Sequence, residues 1–491
     1  MKQIQRFLPG SNHWIGRGPK SALAQARAKA GRAVESSLSE LSSLFGKYIC
    51  ERLLAPSQQG AHSRQRVYAL SSTFWAFLSQ ALSPQVSCRE VVRKLQSYCC
   101  QLGLRLPGSS TSAYCQARGR LPLERLQGIH QEVCQQLQGR VQEGWLWLSR
   151  RVRVVDGTGI RLNDTAQNQA AYPQPAAQRA GCGFPVMQVV ACFCLHSGAL
   201  IDWVTTKLTC HESVLLPQLL GVFQPGDVVL TDRGFCSYAN LALGLQRGID
   251  AVMRLHQRRP HDLRGGRRLG KEDRLVTWMR PKNPGHMSEQ LWHELAETIQ
   301  VRLVRICVSI PGFRVRQVWI ATTLTDPKKY PKEALAQLYR RRWAAELWLR
   351  DIKTSMGVEQ LRARTPAMVH KELCTFAIAY NLLRLLMAQS AICYHLEPSQ
   401  ISFKATADSL RQFRSALRAC LGQPGRTTYI IEQLLLVIAR ERVADRPDRV
   451  EPRAVKLRPK NYQRLTLPRK FMRVAPSRKN KGQYHPKTAL S

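Results

Sequence analysis

Residues 339–353 read YRRRWAAELWLRDIK and contain neither glycine nor proline. Alanine, leucine and arginine favour a helix, so this segment is predicted to be helical. At about 100° per residue, four polar side chains would share one stripe about 60° wide, namely those of Tyr339, Arg342, Glu346 and Lys353. Such a stripe could hold a metal-bound phosphate, but the four-residue spacing of Arg342 and Glu346 also suits an ordinary surface ion pair. The helix alone leaves both interpretations open.

The charge of the chain indicates a polyanionic partner. Its 491 residues include 74 basic and 33 acidic ones, a net charge of +41. Such an excess destabilises a compact chain by self-repulsion unless a polyanion neutralises it. DNA or RNA is the expected partner, with an anionic membrane surface as the alternative. The apolar content of 44% is that of an ordinary globular protein.

Other classes of protein are disfavoured. We find no uninterrupted apolar run long enough to cross a membrane, and the N-terminal residues MKQIQRFLPG lack the apolar core of a signal peptide. The 15 cysteines are scattered without a C-x2-C pair, which disfavours a zinc site of the usual spacing. A cytoplasmic protein with reduced cysteines is therefore expected.

Changes of composition predict six segments. Within the second, several arginines and lysines lie on predicted helices and suit contacts to a DNA backbone, although helices that only brace the next domain are the competing interpretation. The expected segments are a basic arm (1–68), a helical DNA-binding domain (69–145), a first part of an α/β core (146–256), a β-rich insertion (257–325), a second part of the core (326–395), and C-terminal helices with a basic tail (396–491).

Two aspartates follow apolar runs in the α/β region. Asp156 comes after RVRVV and precedes Gly-Thr-Gly, so it is predicted to lie at a strand end before a turn. Asp232 follows the short apolar run VVL and should lie just past a buried strand. An aspartate at a strand end is also a common turn former, so either one alone would be weak support for a metal site.

Together with Glu346, the two aspartates form a candidate catalytic set. Three carboxylates without cysteine or histidine ligands nearby favour Mg²⁺ or Mn²⁺ over zinc. Two such ions about 4 Å apart can activate an attacking oxygen and stabilise a leaving one in phosphoryl transfer. The basic charge of the chain makes a nucleic-acid phosphodiester the expected substrate.

At these residues the chain resembles bacterial insertion-sequence transposases of the DDE class. It is similar to the group marked by Y-x2-R-x3-E-x6-K, insertion sequence family four, and matches all four positions of that signature. The segments VVDGTGIRLNDT and VVLTDRGF resemble the group's other two motifs, in the same order. The resemblance extends over about residues 70–470.

The resemblance implies an RNase H-like core, a mixed five-stranded sheet flanked by helices, with the insertion before the last catalytic helix. It implies binding of terminal inverted repeats, hydrolysis of one strand, and strand transfer by the freed 3′-hydroxyl, in some members through a hairpin. Asp156, Asp232 and Glu346 would hold two metal ions in a chain that acts as a homodimer on DNA. Tyr339, Arg342 and Lys353 would contact phosphates near the cleaved end.

Several further residues keep two interpretations. Trp319 occupies the place of a base-stacking tryptophan in hairpin-forming relatives, with Trp278 as a substitute, but either could be plain core. Asp164 and Asn168 could cap a loop or serve catalysis. Asp202, His211 and Glu212 become ligands only if the sheet brings them in. A solvated loop or a DNA contact would explain the basic patch of Arg258, Arg259, Arg264, Arg267 and Arg268.

Two rival functions remain. A nuclease of the same fold would cut DNA without joining it, whereas a DNA-binding protein that inherited the fold would do neither. The three carboxylates argue against the second.

Overall fold

The computed structural model divides the chain into two compact units. The first holds the described residues up to Val133 with Cys374–Ala379 and Ala407–Leu434, and the second holds the rest. The structure describes residues 38–55, 68–83, 87–101, 103, 106–256, 266–283, 285, 287–308, 316–443, 468, 472–474 and 484–486.

The first unit is helical. Phe74, Phe77 and Tyr114 are among its fully buried side chains, and Arg118 stacks on Phe77 with 4.5 Å between its Cζ atom and the ring centroid. The sequence of residues 69–145 predicts three or four helices, and the structure has four α-helices there among the described residues. The helices that begin in this part of the chain are α1 (Ser39–Phe45), α2 (Glu51–Leu54), α3 (Leu70–Ala81), α4 (Cys88–Gln101), α5 (Ser112–Arg120) and α6 (Leu123–Gln138).

The second unit is built on a mixed sheet. The order of its first five strands is β3-β2-β1-β4-β5, with antiparallel pairing of β1 with β2 and β2 with β3, and parallel pairing of β1 with β4 and β4 with β5. These strands are β1 (Val152–Arg161), β2 (Val186–Cys194), β3 (Leu200–Lys207), β4 (Val228–Thr231) and β5 (Asp250–Arg254). The predicted RNase H-like α/β fold is confirmed.

Four further strands lengthen this sheet to nine. They are β6 (Arg267–Gly270), β7 (Asp273–Met279), β8 (Thr298–Val308) and β9 (Arg316–Thr322). The full order is β3-β2-β1-β4-β5-β9-β8-β7-β6. Because β9 pairs antiparallel with β5, the strands of the predicted insertion continue the core sheet. Pro311-Gly312, where the alternating pattern of the flanking residues predicts a turn between two strands, lies outside the described residues.

The helices from residue 166 onward belong to both units, since residues 374–379 and 407–434 are part of the first unit. They are α7 (Ala166–Ala171), α8 (Leu216–Leu219), α9 (Tyr238–Gln246), α10 (Glu289–Glu294), α11 (Lys332–Arg341), α12 (Trp343–Arg350), α13 (Pro366–Cys393), α14 (Phe403–Ala419) and α15 (Pro424–Arg440). Two short strands at 472–474 and 484–486 pair with each other. Most of the basic tail lies outside the described residues.

Helix α13 is the apolar core helix that the sequence predicts. Its Asn381 is fully buried and forms hydrogen bonds of 2.9 and 2.8 Å with the backbone N–H and carbonyl of Leu200. By length and composition it is the one helix among the described residues that could cross a membrane, yet 83% of its apolar window is buried inside the protein. We therefore assign it to the core.

Candidate active site

Parallel pairing brings Asp156 and Asp232 side by side. The last paired residues of β1 and β4 are Val154 and Leu230, and the two aspartates follow them by two residues each. Asp232 lies directly after β4, as predicted, and its Oδ1 accepts a 2.8 Å hydrogen bond from the N–H of Gly234. The register of two adjacent strands therefore sets the spacing of the two carboxylates.

The predicted strand end at Asp156 was wrong. Strand β1 continues to Arg161, and Gly157, Thr158 and Gly159 pair with β2 instead of forming a turn. The local sequence resembles a turn because it contains two glycines, but the neighbouring strand supplies hydrogen bonds throughout. Asp156 consequently lies in the middle of a strand, on a rigid support.

Asp156 is largely removed from solvent, with 16% of its side chain exposed. Burial raises its pKa to about 6, with smaller increases from Glu346 and Asp232, whereas Arg342 and the N–H of Gly157 lower it. Like charges that raise a carboxylate pKa repel one another, and a cation placed among them would relieve that repulsion.

The helical segment 339–353 is not one continuous helix. Two backbone hydrogen bonds of 3.1 Å form a tighter turn between α11 and α12. The N–H of Arg342 donates to the carbonyl of Tyr339, and the N–H of Ala345 donates to the carbonyl of Arg342. A π-helical turn follows at Asp351–Ser355. The expectation of a single regular helix was therefore wrong, although the polar residues still converge.

Arg342 joins the strand carboxylate to the helical one. Its Nη2 lies 2.8 Å from Oε1 of Glu346, and its Nη1 lies 3.8 Å from Oδ2 of Asp156. Tyr339, only 3% exposed, lies beneath the guanidinium, with 5.9 Å between the Cζ atom of Arg342 and the ring centroid. The ring of Tyr339 therefore packs near the guanidinium of Arg342 and has little contact with solvent.

Lys353 reaches the same face of β1. Its Nζ donates a 3.2 Å hydrogen bond to Oγ1 of Thr158, which lies two residues after Asp156. Side chains two residues apart on a strand share one face, so Thr158 points with Asp156. The structure thus brings the cations of Arg342 and Lys353 close to Asp156.

The carboxylates suit a hard divalent cation without forming a finished cage. Among the described residues, no three acidic, histidine or cysteine side chains are already close enough to hold one ion together. Arg342 lies between two of the expected ligands, Asp156 and Glu346. The donor set of three carboxylates and their mutual repulsion nevertheless fit Mg²⁺ or Mn²⁺. Glu346 is the more solvent-accessible side chain of its pair with Arg342, since 47% of it is exposed.

The remaining predicted contacts lie away from this centre or are undescribed. Trp319 is half-buried on β9, and its carbonyl accepts a 2.8 Å bond from the N–H of Leu255. Arg267 and Arg268 are exposed on β6, five strand spacings from β4, which corresponds to about 24 Å. Arg258, Arg259 and Arg264 lie outside the described residues.

Asp164 and Asn168 organise a loop. Nδ2 of the fully buried Asn168 donates to the carbonyls of Asn163 and Ala363, and Oδ1 of Asp164 accepts from Gln169. These contacts support the loop-capping interpretation of both residues.

Sequence reasoning passed over Arg254 and gave little weight to Glu212. Thr231 pairs with Met253, so Arg254 lies beside Asp232 at the end of the next parallel strand. Its charge lowers the pKa of Tyr339, although burial dominates and raises that pKa to about 12. The position of Arg254 at the end of an apolar strand could have singled it out.

Comparisons with known proteins find similar sequences. Residues 147–382, which include Asp156, Asp232 and Glu346, match the family described as transposase DDE domain. The chain is 27% identical over 454 residues to the transposase InsG for insertion sequence element IS4 of Escherichia coli (strain K12), covering 90% of this chain and 97% of that protein.

A solved structure shows a weaker similarity. The piggyBac transposase synaptic complex with hairpin DNA is similar over 83% of this chain and 85% of that chain, with 9% sequence identity and a TM-score of 0.37. That score is too low to define a fold. The family match over residues 147–382 and the similarity to InsG over 90% of this chain together support a bacterial DDE transposase of the insertion-sequence-four type.

Proposed function

We propose that this transposase binds the terminal inverted repeats of an insertion sequence, cuts DNA strands at its ends and joins them to target DNA. The observation that carries the proposal is the convergence of Asp156 and Asp232 from two parallel strands with Arg342 and Glu346 from the turn between α11 and α12 and from α12 itself. Such an arrangement places carboxylates and a cation around a single phosphodiester.

The reaction has two balanced steps. In the first, water attacks the phosphorus at the element's end, the bond to the 3′ oxygen breaks, and a 3′-hydroxyl and a 5′-phosphate result. In the second, that 3′-hydroxyl oxygen attacks a target phosphodiester and displaces a target 3′-hydroxyl. In some pathways the same hydroxyl first attacks the opposite strand and gives a hairpin.

The residues have separate roles in these steps. Asp156, Asp232 and Glu346 would hold two Mg²⁺ or Mn²⁺ ions, which when bound supply Lewis-acid stabilisation of the charge that develops on oxygen. Arg342 and Lys353 would bind non-bridging phosphate oxygens, with Arg254 beside them. The ring of Tyr339 packs against the guanidinium of Arg342, and its hydroxyl could donate a hydrogen bond to the DNA.

Other surfaces would bind DNA beyond the catalytic centre. The net charge of +41 favours extended backbone contact. We assign such contacts to the helices within 69–145, to the basic patch that includes Arg267 and Arg268, and to the basic tail. Trp319 is assigned as a base-stacking residue. Two copies of the chain would pair the two element ends, in the bacterial cytoplasm at the nucleoid.

A strand-transfer assay tests the proposal. The protein is incubated with Mg²⁺, a target plasmid, and a duplex that ends in the inverted repeat taken from the DNA flanking the gene and carries a labelled 3′ end. Transposition predicts label joined covalently to the plasmid. Cut ends without joined product would indicate a nuclease instead, and a matched duplex with a scrambled repeat controls for sequence recognition.

A further inference from the structure

Glu212 lies against the backbone next to the first catalytic aspartate. It opens a short 3₁₀ turn, Glu212–Val214, that packs on the corresponding turn after Asp232. A Cβ atom added to Gly157 would lie 2.3 Å from both Cδ and Oε1 of Glu212. Gly157 has the extended backbone of β1, so the close approach of this carboxylate accounts for the glycine.

The neighbouring strand holds Glu212 in place. Nε2 of Gln188, on β2, donates a hydrogen bond to Oε1 of Glu212. Gln188 is itself buried, and it pairs across the sheet with Gly159, two residues beyond Gly157. Both glycines leave space beneath β1, and the Gln188–Glu212 pair fills the space at Gly157.

The same peptide unit orients the catalytic side chain. The N–H of Gly157 donates a 2.9 Å hydrogen bond to Oδ1 of Asp156. Successive side chains on a strand point to opposite faces, so Glu212 lies across the strand from the carboxylate of Asp156. Glu212 is thus placed to fix the backbone of Gly157 from below, without being a ligand on the catalytic face.

We propose that Glu212 is a positioning residue of the active site: with Gln188 it pins Gly157 and thereby sets the orientation of the Asp156 carboxylate for metal binding. The inference rests on the proposed metal site. Residues that orient ligands from outside the coordination sphere typically change metal affinity by about 10- to 100-fold when they are removed. A residue that only fills space would change stability and leave metal affinity intact.

The test is a titration of the full-length protein with Mn²⁺ alone, followed by electron paramagnetic resonance, with thermal unfolding as the control for folding. Glu212→Ala is expected to raise the Kd for Mn²⁺ about tenfold or more. Glu212→Gln keeps the shape of the side chain and its hydrogen bond with Gln188, so its affinity for Mn²⁺ should stay close to that of the wild type. Gly157→Ala displaces the Glu212 side chain and should match Glu212→Ala, whereas Gly159→Ala should bind Mn²⁺ like the wild type.

The double variant Gly157→Ala/Glu212→Ala supplies the decisive comparison. Because both changes break one contact, the double variant should lose no more affinity than either single variant. Unchanged affinity in Glu212→Ala, additive losses, or a loss in Glu212→Gln equal to that in Glu212→Ala would overturn the positioning role. Asp156→Asn separates the two hypotheses: if it too binds Mn²⁺ like the wild type, the proposed metal site itself fails.

Discussion

Nη1 of Arg342 lies 3.8 Å from Oδ2 of Asp156, although the two residues are 186 positions apart in the sequence (342 − 156). The same guanidinium pairs with Glu346 at 2.8 Å. Arg342 is 7% exposed, so its contact with Asp156 is formed away from bulk water. It links the segment that carries Glu346 to strand β1.

Replacing Arg342 should weaken DNA binding in a salt-dependent way. If Arg342 contacts one phosphate, Arg342→Ala lowers the slope of log affinity against log salt concentration by about one. The slope is measured by fluorescence anisotropy with end DNA in EDTA. Arg161→Gln is the control, because Arg161 is exposed and pairs with Glu359 instead. An unchanged slope in Arg342→Ala would remove Arg342 from the phosphate contacts.

The ionised carboxylate of Asp156 should lower the free energy of unfolding of the metal-free protein at neutral pH. Its pKa is raised from 3.8 to about 6, so the folded state binds the proton more tightly than the unfolded state, and stability falls as the pH rises through this range. Two pKa units correspond to about 3 kcal/mol, an upper limit for the gain expected from Asp156→Asn at pH 8. The gain should shrink as the pH is lowered from 6 towards 4.

Urea unfolding in EDTA measures this gain. Asp164→Asn serves as the control, since Asp164 lies in a capped loop away from the paired carboxylates. If Asp156→Asn is no more stable than the wild type at pH 8, burial does not destabilise the ionised carboxylate of Asp156.

Tyr339 should act mainly through its ring. Tyr339→Phe keeps the contact beneath Arg342 and should retain most cleavage activity, whereas Tyr339→Ala opens a cavity and should cost about 3 kcal/mol of stability. Thermal unfolding and cleavage of end DNA are measured together. If Tyr339→Phe is as inactive as Tyr339→Ala, the hydroxyl, and not the ring, carries the role.

Trp319 should stack on a base during excision. Trp319→Ala is then expected to slow hairpin formation or strand cleavage by the equivalent of about 1–3 kcal/mol, with recovery in Trp319→Phe. Trp278→Ala, on β7, tests the alternative tryptophan in the same assay. Single-turnover rates on a labelled end duplex provide the measurement. Equal effects of the two alanine variants would indicate that both tryptophans serve packing.

The sequence was informative where spacing within one segment determines the geometry. The grouping of Arg342, Glu346 and Lys353 follows from helical spacing, and the position of Asp232 follows from a short apolar run before it. Asp156 was placed at a strand end wrongly, because the glycines after it resemble a turn when the pairing with β2 is unknown. The break at Arg342 is likewise invisible in propensities, since the segment contains neither glycine nor proline.

The other features depend on contacts between distant segments. Arg254 lies beside Asp232 only through the parallel register of β4 and β5. Glu212 reaches Gly157 across more than fifty residues of sequence. The continuation of the core sheet into the insertion depends on the pairing of β5 with β9, whose residues are far apart in the chain. Sequence patterns within a single segment do not encode such pairings.

The central claim is that Asp156, Asp232 and Glu346 bind the metal ions used for cleavage. The most direct measurement is the cleavage rate of Asp232→Cys on end DNA, first with Mg²⁺ and then with Mn²⁺. A thiolate is a poor ligand for Mg²⁺ and a better one for Mn²⁺. We expect no detectable cleavage with Mg²⁺ and partial recovery with Mn²⁺, while Asp232→Ala stays inactive with both. Wild-type rates in Mg²⁺ for Asp232→Cys and Asp232→Ala would contradict the account.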